Sequence, residues 1–144
     1  MTEAIGLAAS VAGLVSLGLQ ITGGIVTYVN ALEGRQDDLA SVKRQNEAFA
    51  ATLNIVRAAS SRFQGHQHDQ TIKLNLLSCE TEIHALEDLL AKLANCDTAT
   101  WRQQLKNKTR KFTYVFHQSK VQQMLQRLQH ANEGLQLVVT ALGL

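Results

Sequence analysis

The chain has no proline and only two cysteines, one tryptophan, two tyrosines and four phenylalanines in 144 residues. Without proline, nothing forces a break inside a long helix. Two cysteines are too few for a disulfide framework. Cys79 falls at an apolar helical position and Cys96 in a loop, so a reduced, intracellular protein is expected. Scarce aromatics beside plentiful aliphatics suit a helical bundle. The most informative absence is of charge: between Glu3 and Glu33 lie 29 residues, "AIGLAASVAGLVSLGLQITGGIVTYVNAL", with none. Twelve of these are large aliphatics and another twelve are Gly, Ala or Ser. No Lys or Arg precedes the run, and it is too long for a secretory signal core, so it is expected to belong to the working protein.

Charge elsewhere is divided unevenly. Residues 1–100 carry 7 basic and 11 acidic side chains, a net of −4, whereas residues 101–144 carry 7 basic side chains and only Glu133, a net of +6. This split calls for an acidic partner of the C-terminal part or for internal complementarity between the halves. The length suits one domain with a real core.

Apolar residues recur at alternating spacings of three and four almost throughout. The first series is Leu7, Val11, Leu14, Gly18, Ile21, Ile25, Tyr28 and Leu32; the second is Leu39, Val42, Asn46, Phe49, Leu53, Val56, Ser60 and Phe63. The third runs Ile72, Leu76, Cys79, Ile83, Leu86, Leu90 and Leu93, and the last Val121, Met124, Leu128, Ala131, Leu135, Val138 and Leu142. Each keeps one helix face apolar over several turns. No stretch alternates with period two, so strands are not expected. Gly34 ends the first run, and Asp37 or Asp38 is expected to cap the second helix. "QGHQHDQ" at 64–70 reads as a loop, "NCDTAT" at 95–100 supplies cap residues before Trp101, and Ser119 with Gln122 reads as a capping box. Residues 101–116 read as a shorter helix and a turn, so the expectation is an all-α bundle of four long antiparallel helices plus one short helix, forming a single domain across 1–144.

Sites of chemistry are hard to find. "GLVSLGLQITGG" spaces glycines like a phosphate loop but lacks the lysine, the Ser/Thr and the preceding strand. Small residues at Ala8, Ala12 and Ser16, and at Ala9 and Gly13, read better as close helix contacts. His66 and His68, with Cys79, His84 and Cys96 downstream, do not make the two tight pairs of structural zinc. His84, His117 and His130 read as surface or core-rim residues. Glu80, Glu82, Glu87 and Asp88 read as a solvated helix face. No nucleophile, base and oxyanion site assembles, so neither an enzyme, a metal nor a cofactor is expected. Arg102, Lys106, Lys108, Arg110, Lys111, Lys120 and Arg127 form the strongest surface signal. Three readings remain: a solvated helix face or pairing with the acidic third helix, contact with anionic lipid headgroups, and nucleic acid, which aromatic interleaving suggests but no recognition motif supports.

The opening "GLAASVAGLVSLGLQITGGIVTYVNAL", the following "DDLASVKRQNEAFAATL", the "CETEIHALEDLLAKL" segment and the late "SKVQQMLQRLQHANEGLQLVVTAL" together resemble the HeLo-like N-terminal domain of fungal STAND proteins, the NLR-like receptors. The sibling SesA-type domain begins similarly. The resemblance covers essentially the full chain and rests on patterns of apolar and small residues. It implies a helical bundle that precedes a nucleotide-binding oligomerisation module, or sometimes a lipase-like domain. The implied role is regulated cell death, in which a cytoplasmic domain reaches the plasma membrane after self-association. Its membrane-active part would correspond to residues 4–32, with Ile5, Leu7, Val11, Leu14, Val15, Leu17, Ile21 and Ile25 entering lipid and Gly13 and Gly18 serving helix packing. Arg102, Lys106, Lys108, Arg110 and Lys111 would contact anionic lipid, and no nucleic acid would be bound. As a helix the segment would measure about 44 Å at about 1.5 Å per residue, enough to cross a bilayer. The competing reading is a helical protein-interaction adaptor without membrane activity.

Overall fold

The computed structural model describes residues 2–32, 34–107 and 114–144, with side chains described from Leu7 onward except those of Ala8, Lys106 and Asn107. All regular structure among these residues is helical: α1 (Thr2–Ala31), α2 (Gln36–Ala58), a 3-10 helix (Ser60–His66), α3 (Gln70–Leu93), α4 (Thr98–Asn107) and α5 (Gln118–Ala141). The 3-10 helix occupies part of what reads as a loop in the sequence. It forms because the apolar register continues past α2 to Phe63, which is 1% exposed, whereas Ser60 in the same series is exposed.

The start and stop signals divide into those that act and those that do not. Gly34 takes φ +87°, the left-handed conformation that ends a helix. Asp69 Oδ1 accepts from the amides of Thr71 and Ile72 and caps α3, and Asp97 Oδ1 accepts from Thr100 N at 2.6 Å to cap α4. Neither Asp37 nor Asp38 caps α2. The helix starts earlier, with Arg35 at its N-cap, and both aspartates lie in the first turn, where they complement the helix dipole. The Ser119–Gln122 capping box does not form either, because α5 already begins at Gln118 after an extended His117.

Every member of the first, third and last apolar series is buried except Leu32, which is half-buried and packed on the core. α3 packs chiefly on α5, α5 on α2, α2 on α1 and α1 on α3. The facing residues give the directions. Asn46 meets Thr22 while Leu53 meets Gly18, so α1 and α2 run antiparallel. Arg127 meets Glu82 while Gly134 meets Asn75, so α3 and α5 do too. Gly18 lies against Ile83 and Gly24 against Leu90, so neighbours α1 and α3 run parallel. The expected set of wholly antiparallel neighbours is therefore corrected. The 59–69 connection, stiffened by the 3-10 helix that packs on α1, carries the chain past α2's own neighbours instead of folding it straight back.

Candidate functional site: the first helix and its supports

α1 presents two different faces. Inward, Leu7, Val11, Leu14, Val15, Ile21, Ile25 and Tyr28 are all buried, and Leu17 is half-buried against the core. Outward, Ala9, Ala12, Gly13, Ser16, Gln20, Gly23 and Thr27 are exposed. The side chain of Ile5 lies outside the described residues. The residues named for membrane entry that are described thus form the core face, not the solvent face. Over Ala9–Ala31 the mean hydropathy is 1.6, and one such helix is long and apolar enough to cross a membrane. The Thr22 hydroxyl donates to the Leu19 carbonyl at 3.0 Å and the Thr27 hydroxyl to the Gly23 carbonyl at 3.1 Å.

The glycines separate by surroundings. A Cβ on Gly18 would stand 2.8 Å from a Leu53 methyl, so glycine there admits α2 closely. Gly13 has no atom within 4 Å of that position. Gly13 is exposed, as are Ala9, Ala12 and Ser16. A Cβ on Gly24 would stand 3.0 and 3.2 Å from the edge of the Trp101 ring, so glycine there lets Trp101 approach α1 closely.

Among the shallow clefts that border α1, two lie along its middle. One of about 510 Å³ lies between Val11, Val15 and Leu19 and the Arg57–Ser60 corner; another of about 470 Å³ lies between Gly23, Thr27 and α4. Neither gathers convergent catalytic groups, and no cluster of three or more His, Cys, Asp or Glu residues suited to a metal occurs among the described residues. Burial, reinforced by Glu82 and Glu80, pushes the Cys79 thiol up to about 12, and burial also raises Cys96. Neither is poised as a thiolate nucleophile.

The electrostatics depart from the sequence reading at one residue in particular. Glu87 is buried, 2% exposed, not solvated. It accepts from Arg102 in a two-pronged pair, Nε to Oε2 at 2.9 Å and Nη2 to Oε1, with His84 Nδ1 3.8 Å away. Hydrogen bonding to Glu87 raises the Arg102 pKa further. Glu82 similarly takes Arg127 at 3.2 Å. Two of the basic residues therefore complement the acidic α3 internally. Lys108, Arg110 and Lys111, and the side chain of Lys106, lie outside the described residues. The burial of Glu87 was legible in principle: it falls four residues after Ile83 and three before Leu90, on the edge of the core stripe. A buried carboxylate there demands a cation.

Other supports of α1 were not foreseen. Asn46 donates to the Thr22 main-chain carbonyl at 2.9 Å, and its buried Oδ1 has no hydrogen-bond partner among the described residues. The Tyr28 hydroxyl donates to the Val115 carbonyl at 3.4 Å, and its ring meets Tyr114 edge-on at 5.1 Å. Trp101 Nε1 donates to the Tyr114 hydroxyl at 3.1 Å, and Arg35 stacks over the Phe116 ring at 4.4 Å. No family model matches the chain, and neither a curated protein nor a solved structure matches it.

Proposed function

We propose that this domain is a conditional membrane effector of the HeLo-like type. On self-association, driven by a nucleotide-binding or lipase-like module in cis or trans, α1 leaves the core of a four-helix arrangement and enters the plasma membrane, perturbing it and causing regulated cell death. The observation that carries this reading is α1 itself. It is uncharged from Ala9 to Ala31 and long enough to span, and the hydroxyls of Thr22 and Thr27 are already satisfied by its own carbonyls. A helix entering hydrocarbon must satisfy its polar groups internally, and these do. Gln20 and Asn30 remain polar, so a single copy is marginal in lipid, and packing of several copies through Gly13 and its small neighbours would favour entry.

Leakage of dye from anionic liposomes by the purified domain tests this reading. The intact domain, forced to oligomerise by a fused module, is expected to release dye, and the same protein lacking residues 1–32 is not. No leakage and no vesicle binding by the oligomerised domain would replace the reading with an adaptor role. Leu74 and Leu77, 63% and 60% exposed on one face of α3, favour that second reading as a protein-docking ridge. The remaining cations supply the recruiting charge in the membrane reading. Replacing Lys106, Lys108, Arg110 and Lys111 by Gln is expected to weaken binding to anionic vesicles, by a margin that shrinks with salt, since exposed charges are screened over about 8 Å at physiological ionic strength. Equal binding at low salt would assign those residues to solubility.

A further inference from the structure

We infer that α4 and residues 114–117 form a strap that holds the carboxyl-terminal half of α1 in the fold, locked by the Glu87–Arg102 pair and caught by Trp101 against Gly24. This rests on the membrane reading above and assigns the contact that restrains its active helix. The strap is fixed to α3 by three kinds of bond. Arg102 grips buried Glu87 through two hydrogen bonds, the Thr98 hydroxyl donates to Asp88 at 2.8 Å, and Val115 N donates to the Leu93 carbonyl at 3.1 Å. It is fixed to α1 by different groups: the Trp101 ring in the space left by Gly24, Tyr28 on Val115 and Tyr114, and Arg35 on Phe116 just beyond the helix end. The carboxyl-terminal half of α1 thus packs through its buried face on this strap as well as on α3, and the charged link that ties the strap to α3 is the Glu87–Arg102 pair. Arg102 is half-exposed while Glu87 is 2% exposed, so the anchor lies within reach of an anionic competitor for the guanidinium. Losing that guanidinium leaves a desolvated carboxylate under the strap, an arrangement that favours displacing α4 to admit water.

Trp101 is the sole tryptophan and is fully buried, so its emission reports the strap directly. Two variants approach from opposite sides. Arg102→Ala removes the lock without touching α1. Gly24→Leu fills the Trp101 seat, and Gly23→Leu one residue earlier, where nothing lies within 4 Å, adds the same side chain outside it. For Arg102→Ala and Gly24→Leu, Trp101 emission is expected to move to the red. Amide exchange over residues 20–31 should speed up by at least about tenfold relative to the centre of α5. Gly23→Leu should leave the emission in place. Unchanged emission and exchange in both strap variants would overturn the strap, and so would a red shift with residues 20–31 still protected. Should the strap open and residues 20–31 exchange while Gly24→Leu binds anionic vesicles no better than Gly23→Leu, the strap stands and the membrane reading falls.

Discussion

The two halves of α1 are held by different chemistry. Among the described residues, residues 7–19 are retained by apolar packing: Leu7, Val11, Leu14 and Val15 face inward and Gly18 seats Leu53. Residues 20–32 are retained by Asn46 on the Thr22 carbonyl, by Trp101 on Gly24 and by Tyr28 on Val115 and Tyr114. Apolar burial is non-directional and survives transfer from protein to lipid, since both are dry. Hydrogen bonds and a fitted aromatic seat do not transfer. In the proposed membrane switch the amino-terminal half would exchange one apolar surrounding for another, and the carboxyl-terminal half would resist.

The largest expected effect is at the firmly held end. Ile21→Asp buries an unpaired charge at a site 1% exposed and should cost at least about 3 kcal/mol in urea unfolding, with Leu14→Asp close behind. Leu7→Asp should cost much less, because the terminal turns can fray away from the core. Equal costs at Leu7 and Ile21 would erase the distinction between the halves, and unchanged stability at Leu14 and Ile21 would make α1 peripheral.

Smaller changes sharpen the contrast. Tyr28→Phe removes the hydroxyl bond to Val115 and should cost about 0.5–1.5 kcal/mol by the same measurement. Gly13→Ala, in open space, should stabilise by up to about 1 kcal/mol through helix propensity, whereas Gly18→Ala must displace a Leu53 methyl at 2.8 Å and should gain nothing or lose. A bulky Gly13→Leu should still fold yet impair killing of fungal cells expressing the domain more than Gln126→Leu does. Equal killing by the two would remove Gly13 from any lipid packing face.

The smallest effect concerns acid. The Thr100 amide holds the Asp97 carboxyl below the usual aspartate range. Its contribution to the α4 cap is therefore full above the unfolded pKa and fades as pH falls through the lower folded value. Asp97→Asn should flatten that part of the acid-unfolding curve. An identical curve would take Asp97 out of the cap.

Much of this arrangement was legible from residue spacing. The four apolar series name nearly all of the core, because a helix face repeats every three or four residues whatever its neighbours are. Asp69 and Gly34 mark their boundaries through local geometry that the chain carries with it. Asp37, Asp38 and Ser119 mislead because several residues near a helix start can cap it, and packing decides which turn comes first. The direction in which α3 runs beside α1 was not legible, since spacing within a helix says nothing about how its connection crosses the core. Nor were Glu87–Arg102 and Trp101–Gly24, each a meeting of residues from different helices. A carboxylate on the flank of an apolar stripe and an unexplained glycine beside it were the only traces.

The exposed face of α1 gives the most direct test of the switch between core and lipid. A polarity-sensitive fluorophore on Ser16→Cys, in a Cys79→Ala, Cys96→Ser background, reports that face, which is open to water in the folded domain. On oligomerised protein added to anionic vesicles, the emission should shift to the blue and be quenched by labels in the acyl chains. Emission that stays as in water, with the protein bound to the vesicles, would contradict entry of α1 into the membrane.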